Sequence, residues 1–458
     1  MMLLSQIEKV LSGDRQGADV RIGGVSTDTR SIAAGDLFIA LKGEHFDGAQ
    51  FVAHAAQVGA VAAIVKEGSV LEDVNCPVLF VPDTRLALGK LAAHWRKQFD
   101  IPLVAITGSN GKTTVKEMLA AILAAHAGEE AVLATRGNLN NDIGLPLTLL
   151  KLRAQHRYAV IEMGMNHPGE IEYLTRIAQP DVALINNASG AHLQGLGTVE
   201  GVARAKGEIF AGLRQGGTAV INADDAHAAL WRELAGQHRI LDFALDHAAQ
   251  IRGKWAAQDF GGRVQAHTPA GELAFRLQVP GEHNARNALA AASAAFALQV
   301  QTETIATALQ DFGGVAGRLQ RKAAQHGATL IDDTYNANPA SMRAALEVLA
   351  QTPGKRIFVL GDMGELGDEA AQFHREIGIA ARELGIERML ALGALSGLAV
   401  QAFGRGAEHF ADIETLQRRL AEELDAQTTV LVKGSRFMKM ERVVQACATA
   451  QEETCCSH

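Results

Sequence analysis

The sequence predicts an α/β protein of three domains, and three observations support this. The chain has 458 residues, enough for about three compact domains. Short apolar runs alternate with helical stretches over most of its length, which is typical of parallel sheets joined by right-handed crossovers. A glycine cluster at Gly313, Gly314 and Gly317 interrupts this alternation and marks a hinge. We therefore predict domains at residues 1–83, 84–313 and 314–458.

The first domain is predicted to be a small α/β unit. Its β-rich runs at residues 37–40, 60–65 and 78–81 are separated by glycine turns. Residues 84–99 then form a helical stretch that leads into the central domain.

A phosphate-binding loop opens the central domain. Residues 104–114 read VAITGSNGKTT, in which a buried strand ends at two closely spaced glycines. The glycines permit a tight turn that points successive N–H groups into one concavity, and residues 115–123 continue as a helix whose N-terminus attracts anions. The first glycine lies only three residues before the second, closer than in the common loop. The chain is still predicted to bind a nucleoside triphosphate, through residues Gly108, Ser109, Asn110, Gly111, Lys112, Thr113 and Thr114.

Beyond this loop the strand–helix alternation continues. The central domain is predicted to contain strands at 103–106, 158–163, 182–185 and 218–221, a β-hairpin within 250–280 and an alanine-rich helix at 284–298. The last domain is predicted to form a second doubly wound sheet from strands at 329–331, 356–360, 388–392 and 428–432. Ligands of such sheets bind at the carboxyl ends of the strands.

Composition and charge exclude several classes of protein. The net charge of −8 argues against a nucleic-acid partner. The apolar run at the N-terminus is too short for a signal peptide, and no stretch has the ~20 apolar residues of a membrane span. The four cysteines indicate a reducing compartment, so we expect a cytoplasmic protein. The C-terminal Cys-Cys-Ser-His is either a metal clip or, as its adjacent spacing favours, a solvated tail.

Three residues near predicted strand ends are candidates for the chemistry. Glu162 ends the strand at 158–163, where a carboxylate can hold Mg²⁺, and the alternative is a capping or surface glutamate. His192 lies in the polar segment after the strand at 182–185, either as a metal ligand or as an ordinary loop residue. Lys206, taken alone, has the pattern of a solvated helix lysine.

Five segments, in order along the chain, carry a resemblance to a known family. The sequence resembles the Mur ligases, the ATP-dependent amide ligases of bacterial cell-wall synthesis, at residues 107–114, 160–164, 205–210, 281–287 and 332–339. Segments 137–144, 362–367 and 432–436 are most similar to the members that add a dipeptide. Segments 27–30 and 38–48 fit the nucleotide-sugar-binding domain of the family, with Ala49 where the family often has histidine.

The resemblance implies a three-domain ligase: a small N-terminal α/β nucleotide-sugar-binding domain, a central P-loop ATPase domain with a parallel sheet, and a C-terminal Rossmann-like domain. It implies transfer of the ATP γ-phosphate to a carboxylate, giving an acyl phosphate that an amine then attacks. The implied substrates are UDP-N-acetylmuramoyl-tripeptide and D-alanyl-D-alanine, with ATP and two Mg²⁺ ions. The family expectation is a monomer.

The resemblance also assigns roles by position. Lys112, Glu162, His192, Lys206 and Arg318 would be catalytic. The metal ligands would be Thr113, Glu162, His192 and Lys206, the last as a carbamate. Beyond the phosphate loop, ATP would contact Asn284, Asn287, Arg318, Asp332, Asp333, Tyr335 and Asn336. The other substrates would contact Thr27, Asp28, Arg30, Lys42, Asp47, Asn138, Asn140, Asn141, Lys433, Ser435 and Arg436.

Two alternatives remain. A sibling ligase would add a single amino acid, although the Asp-Asn-Pro-Arg segment that resembles the diaminopimelate-adding enzyme's selector is absent. A P-loop regulatory or motor module would hydrolyse ATP without a small-molecule acceptor. A measurement of whether ATP turnover requires a free amine distinguishes a ligase from such a module.

Overall fold

The computed structural model describes residues 1–43, 46–190 and 193–449, and it confirms the α/β class with three sheets. The sheets have five, nine and six strands and follow one another along the chain. The domain limits proposed from the sequence remain a prediction. Within the described residues, no helix combines the length and the hydropathy needed to cross a membrane.

The N-terminal sheet has the strand order β1-β5-β4-β3-β2, and only β1 is antiparallel to its neighbour. Its strands are β1 (Asp14–Gln16), β2 (Gly24–Ser26), β3 (Asp36–Ile39), β4 (Ala60–Lys66) and β5 (Val78–Val81). The associated helices are α1 (Leu4–Leu11), α2 (Val52–Gln57) and α3 (Thr84–Arg96). The Asp83 carboxylate starts α3 by accepting hydrogen bonds from the backbone N–H groups of Arg85 and Leu86.

The central sheet has the order β14-β13-β12-β11-β10-β9-β6-β8-β7. Its strands are β6 (Leu103–Thr107), β7 (Val132–Ala134), β8 (Tyr158–Glu162), β9 (Val182–Ile185), β10 (Thr218–Asn222), β11 (Arg239–Ala244), β12 (Ile251–Gln258), β13 (Gly261–Thr268) and β14 (Gly271–Leu277). The strands from β7 to β12 in this order pair in parallel. The strand that carries the phosphate loop therefore lies inside the sheet, between β8 and β9.

The hairpin predicted within residues 250–280 is instead three antiparallel strands, β12 to β14. Two tight turns occur here rather than one. Asp259 and Gly271 both have positive φ, and the alternating burial along β13 and β14 puts one face of each strand in the core. The meander extends the parallel sheet at its edge.

Helices cover both faces of the central sheet. They are α4 (Lys112–Ala127), α5 (Gly144–Leu149), α6 (Glu170–Ala178), α7 (Leu193–Leu196), α8 (Val199–Gly207), α9 (Ala228–Ala235), α10 (Glu282–Ala297) and α11 (Thr302–Asp311). The alanines of α10 are almost all fully buried, and this helix packs against α4 and the sheet. Small side chains permit this close approach, which brings the start of α10 next to the phosphate loop.

The C-terminal sheet has the order β15-β16-β20-β17-β18-β19, with only β15 antiparallel. Its strands are β15 (Gln320–Ala323), β16 (Thr329–Asp333), β17 (Lys355–Gly361), β18 (Arg388–Leu392), β19 (Ala407–Phe410) and β20 (Thr428–Lys433). Its helices are α12 (Pro339–Ala350), α13 (Ala370–Glu383), α14 (Ser396–Phe403), α15 (Ile413–Ala421) and α16 (Glu441–Cys447). The carboxyl ends of β16 and β20 meet at one edge, which faces the central domain.

Candidate active site

A cleft of about 1690 Å³ lies between the phosphate loop, the 137–142 loop, the start of α10 and the carboxyl edge of the C-terminal sheet. The predicted residues that border it are Ser109, Asn110, Gly111, Lys112, Thr113, Thr114, Asn138, Asn140, Asn141, Glu162, Asn284, Asn287, Arg318, Asp333, Tyr335, Asn336, Lys433 and Arg436. Residues more than 300 positions apart in the sequence thus share one cavity. Its position at strand ends and between domains is typical of a ligand site.

The phosphate loop requires glycine at position 111 for two reasons. Gly111 has φ +78°, in the left-handed region that side chains disfavour. A Cβ there would also lie 2.3 Å from Asn287 Oδ1 and 2.6 Å from Asn186 Nδ2. Helix α4 begins at the next residue, so its free N–H groups face the cleft. The loop is therefore shaped to receive an anion.

Glu162, at the end of β8, is held in place by neighbours from two loops. The Thr113 hydroxyl donates to its Oε2 at 2.9 Å, and Asn140 Nδ2 donates to its Oε1 at 2.9 Å. The residue is 2% exposed. The carboxylate is bound by two side chains, so its hydrogen bonds are not those of a helix cap, in which backbone N–H groups donate to the capping side chain.

Two cations approach the same loop. Lys112 Nζ donates to Gly108 O at 2.7 Å. Burial lowers the pKa of Lys112, with Glu162 opposing and Arg318 adding to the shift. Arg318 Nη2 donates to the Thr113 hydroxyl at 2.9 Å, and its guanidinium lies over the Tyr335 ring, 4.2 Å from the centroid. The last third of the chain therefore contacts the phosphate loop directly.

Lys206 is not a solvated helix lysine. It lies on α8 and is 2% exposed. Burial lowers its pKa well below the usual value, and the nearby positive charge of Lys112 lowers it further. The lowered pKa favours the uncharged form of the amine. Lys206 is not among the residues that line the cleft.

The remaining metal-site predictions have a mixed outcome. His192 and the tail Cys455, Cys456 and His458 lie outside the described residues. In the part of the chain that the structure describes, no group of three or more His, Cys, Asp and Glu side chains could hold a metal ion. Thr113 and Glu162, whose oxygens are 2.9 Å apart, supply two hard oxygen atoms at one point.

The two aspartates at the end of β16 point in different directions, because neighbouring strand residues face opposite sides of a sheet. Asp333 borders the cleft and forms an ion pair with Lys433 at 2.6 Å. Asp332 does not border it, and pairs with Lys322 at 2.9 Å. The structure therefore brings only one of the two predicted carboxylates to the cleft.

The residues predicted to hold the dipeptide carboxylate are already partly engaged. Lys433 Nζ also donates to Asn336 O at 2.9 Å, and its side chain is 3% exposed. Ser435 Oγ accepts from the backbone N–H of Gly364 at 2.8 Å and does not border the cleft. Arg436 borders the cleft with a 65% exposed side chain, paired at 3.2 Å with Glu441. Arg436 is the most accessible of the three.

The 137–142 loop presents its asparagines to the cleft differently. Asn140 contacts Glu162, whereas Asn141 Oδ1 accepts from the backbone N–H groups of Ile143 and Gly144 and so starts α5. Asn138 is exposed at the cleft wall. The Asn141 side-chain oxygen is therefore engaged within the turn that precedes α5.

The N-terminal candidates form a separate group. Their members are Thr27, Asp28, Arg30, Lys42 and Asp47, and none of them borders the cleft. They follow β2 and β3, which are parallel neighbours, so they lie at one carboxyl edge of the first sheet. The hydrogen bonds from Arg30 lower the pKa of Asp28 to about 2, and Lys42 pairs with Asp47 at 3.4 Å.

Several residues that border the cleft were not predicted from the sequence, and Asn186, Asn187 and His283 are among them. Asn187 accepts from the backbone N–H of Asn110 at 2.8 Å and donates to its carbonyl at 3.0 Å, which fixes the loop. Burial lowers the pKa of His283 to about 4, although Asp333 opposes the shift. The position of the two asparagines directly after β9 was the available signal, since strand ends carry ligand contacts.

The comparisons with known proteins agree with this geometry. Residues 21–96 match the Mur ligase family catalytic domain, residues 106–295 the Mur ligase middle domain, and residues 317–436 the Mur ligase glutamate ligase domain. The chain belongs to the Mur ligase family.

Particular members of the family are similar over nearly the whole length. The chain is 44% identical over 447 residues to UDP-N-acetylmuramoyl-tripeptide--D-alanyl-D-alanine ligase of Escherichia coli (strain K12), covering 97% of both. It superposes on a crystal structure of MurF from Acinetobacter baumannii with a TM-score of 0.90 and 39% identity, covering 96% of this chain and 97% of that one. A MurF ligase from Thermotoga maritima in complex with ADP matches with a TM-score of 0.80 and 27% identity, over 92% and 96% of the two chains.

Proposed function

We propose that this chain joins D-alanyl-D-alanine to UDP-N-acetylmuramoyl-tripeptide at the expense of ATP, giving the pentapeptide, ADP and phosphate. The observation that carries this proposal is the contact of Arg318 with Thr113 beside Glu162, because it completes a phosphate site from two domains. The similarity to ligases of this name over 97% of the chain supports the choice of substrates.

The cleft residues fit ATP as the phosphate donor. Arg318 borders the cleft, and its guanidinium carries donors that can bind phosphate oxygens. Lys112 lies on loop carbonyls and can turn to the phosphates. The Tyr335 ring under Arg318 restricts the direction of the guanidinium. These groups hold the triphosphate over the N-terminus of α4.

The reaction must bring a carboxylate to a polyanion. Two unit charges ~4 Å apart repel by about 4 kcal/mol at an effective dielectric near 20. Lys112 and Arg318 offset this repulsion, so the tripeptide carboxylate can attack the γ-phosphate and release ADP. The amine of D-alanyl-D-alanine then attacks the acyl phosphate carbonyl, and the tetrahedral intermediate expels phosphate.

Magnesium fits the same point of the cleft. Thr113 and Glu162 would hold one ion, since Mg²⁺ prefers hard oxygens and needs few protein ligands beside phosphate oxygens. Such an ion neutralises phosphate charge when bound. Asn140 keeps Glu162 in position through its hydrogen bond. His192 and Lys206 are the proposed ligands of a second ion.

Lys206 is proposed to become a carbamate. In its uncharged form, which burial favours, the amine can attack CO₂, forming a C–N bond and losing a proton, and this replaces a potential cation by a carboxylate-like anion. Burial beside Lys112 favours this form, because the anion would face a positive charge. The carbamate would give the second ion an oxygen ligand.

The other contacts extend this proposal. Asn284, Asn287 and Asp333 would contact adenosine, and Asn138 with Asn140 the acceptor peptide. The carboxyl edge of the N-terminal sheet would bind the uridine end. We propose that the protein is cytoplasmic and monomeric, and that its hinge near residue 313 closes the cleft when ATP binds. Size-exclusion chromatography without ATP would test the monomeric state, and a smaller apparent size with ATP would support closure.

The first test measures phosphate release from ATP and Mg²⁺ with both substrates together and with each alone. We expect release only with both, accompanied by one new amide bond detected by mass spectrometry. Release that ignores both substrates would overturn the proposal in favour of a hydrolytic P-loop module.

A second test addresses the carbamate. Lys206→Ala is expected to lose at least ~100-fold in kcat, with partial recovery on adding a short carboxylic acid that can replace the carbamate oxygens. Arg204→Ala, a change at an exposed residue of the same helix, is the matched control and should retain activity. Full activity of Lys206→Ala without added acid would exclude the carbamate.

A further inference from the structure

Lys116 is a fully buried lysine to which the proposed reaction gives no role. It lies on α4, three positions after Thr113, and is 1% exposed. Lysine is almost never buried to this extent unless its amino group has partners. Here Nζ donates to Thr135 O at 2.5 Å and pairs with Glu117 Oε1 at 2.8 Å. Because the Glu117 side chain is 40% exposed, the contact with Thr135 is the inner one of the two.

Thr135 is the residue at which β7 separates from β8. The pairing of these strands ends with Ala134 opposite Val160, and the Thr135 N–H still donates to Val160 O at 3.0 Å. The next hydrogen bond of a parallel ladder would join the Glu162 N–H to Thr135 O. In the structure the Glu162 N–H donates to the Thr135 hydroxyl at 3.0 Å, and the carbonyl accepts from Lys116. Lys116 therefore holds the carbonyl that would continue the pairing.

These contacts form a ring around the carboxylate that is proposed to bind magnesium. The Thr113 hydroxyl donates to the Glu162 carboxylate, and the Glu162 N–H donates to the Thr135 hydroxyl. Lys116 joins Thr135 to α4, the helix that carries Thr113. Asn140, which follows Thr135 closely in the chain, also donates to the Glu162 carboxylate. Groups that hold a metal ligand in place contribute to the affinity of the site.

Loss of the Lys116 amino group would leave Thr135 O free to accept from the Glu162 N–H. The pairing of β7 with β8 would then continue by one residue. The segment after Thr135 would follow β8 instead of turning to the cleft, and Asn140 would be drawn away from the Glu162 carboxylate.

We propose that Lys116 is a positioning residue of the ligase. It ends the pairing of β7 with β8 through Thr135 O, and it thereby fixes Glu162 and Asn140 for the metal ion. This inference deepens the proposed function and rests on the proposed role of Glu162 as a magnesium ligand.

The test measures Mn²⁺ binding to the full-length protein with ADP by electron paramagnetic resonance, after subtraction of the binding to ADP alone. Mn²⁺ takes the same oxygen ligands as Mg²⁺. Lys116→Met removes the donor and keeps a side chain of similar size. We expect it to weaken Mn²⁺ binding about tenfold, as changes to the partners of metal ligands do. Glu117→Gln is the matched control, because it changes the exposed partner of Lys116 and retains the contact with Thr135 O, so its affinity should equal that of the wild type.

Thr135→Val tests the route from Lys116 to Glu162. Valine keeps the backbone carbonyl and the shape of threonine but lacks the hydroxyl that accepts from the Glu162 N–H. This variant should also weaken Mn²⁺ binding. The combined loss in Lys116→Met with Thr135→Val should be smaller than the product of the two separate losses, because both changes act through Thr135. Losses that simply multiply would contradict the inference.

Wild-type affinity for Mn²⁺ in Lys116→Met would overturn the inference, whatever the stability of the variant, and would leave Lys116 with a structural role only. If Lys116→Met does not fold, Lys116→Gln takes its place. The glutamine amide is one bond shorter than the lysine side chain, so Mn²⁺ binding should again be weaker than in the wild type. Unchanged binding in Lys116→Gln would overturn the inference in the same way.

Glu162→Gln separates this inference from the proposed function. It should weaken Mn²⁺ binding at least as much as Lys116→Met, because it removes the charge of the proposed ligand itself. If Glu162→Gln weakens binding and Lys116→Met does not, the inference about Lys116 fails and the proposed metal site stands. If Glu162→Gln leaves binding unchanged, the proposed metal site itself fails.

Discussion

The ion pair between Lys433 and Asp333 gives the sharpest prediction about stability. Both side chains are largely buried, at 3% and 12% exposure, and their charged atoms are 2.6 Å apart. We expect Lys433→Met to leave the Asp333 carboxylate without its cation in a poorly solvated place. Breaking a buried pair by removing one partner costs roughly 3–5 kcal/mol. The backbone N–H of Leu319 still donates to Asp333 at 3.2 Å, which favours the lower end of that range.

The size of the effect can be checked by calorimetry of the full chain. A loss of ~3 kcal/mol in a domain of about 150 residues lowers the transition of that domain by about 10 °C. Hydrogen exchange of the β16 and β20 amides assigns the transition to the C-terminal sheet. Combining Lys433→Met with Asp333→Asn should cost less than the sum of the two changes, by at least ~2 kcal/mol, because neither charge is then left alone.

The control is Arg436→Gln, which removes an exposed pair of the same domain. Arg436 is 65% exposed and pairs with Glu441 at 3.2 Å, so its loss should cost no more than about 1 kcal/mol. The reasoning would be refuted if Lys433→Met left the transition unchanged while raising KM for D-alanyl-D-alanine. That result would mean that Lys433 is free to bind the dipeptide carboxylate.

The remaining predictions concern Gly111 of the phosphate loop, Arg318, and the pH dependence of stability. Gly111→Ala should weaken ATP binding by ~2–5 kcal/mol in titration calorimetry. The alanine would be strained by the left-handed backbone, and its Cβ would lie 2.3 Å from Asn287 Oδ1. Unchanged affinity would contradict this geometry. Arg318→Ala should lower kcat by ~10²–10³, as loss of one charge-stabilising donor does, and an unaltered kcat would make its contact with Thr113 incidental. For His283, the pKa is about 4 in the folded state and near 6.5 when unfolded, so the unfolded chain binds the extra proton first as pH falls. The free energy of unfolding should therefore fall between pH 6.5 and 4, by at most about 3 kcal/mol because the ring borders the cleft. Urea titrations at a series of pH values measure this, and His283→Gln should flatten that part of the stability curve. An identical curve for the variant would exclude His283 as the source.

Local sequence patterns predicted most of the fold. The runs at 78–81, 182–185 and 388–392 are strands with those bounds, because short β-branched and leucine-rich runs flanked by turns have few other solutions. The short antiparallel strands β1 and β15 were missed. Their polar sequences differ little from those of surface loops, and only pairing with a neighbouring strand makes them strands.

Within the site, sequence could place residues at strand ends but could not say which way each side chain points. Asp332 and Asp333 are equivalent in the sequence, yet the pleat of β16 sends one to Lys322 and the other to the cleft. Lys206 has the pattern of a surface lysine, and only packing of α8 shows that it is buried.

The sequence by itself determined the phosphate loop, the order of its strands and helices, and the family, since these depend on residues adjacent in the chain. Only the tertiary structure decided how Arg318 meets Thr113 across 205 positions, and how Asn186 donates to Asn287 at the start of α10. Such contacts depend on the distance between elements, on burial and on the competition among hydrogen-bond partners. None of these quantities is written in any short stretch of sequence, because each arises when separate segments pack together.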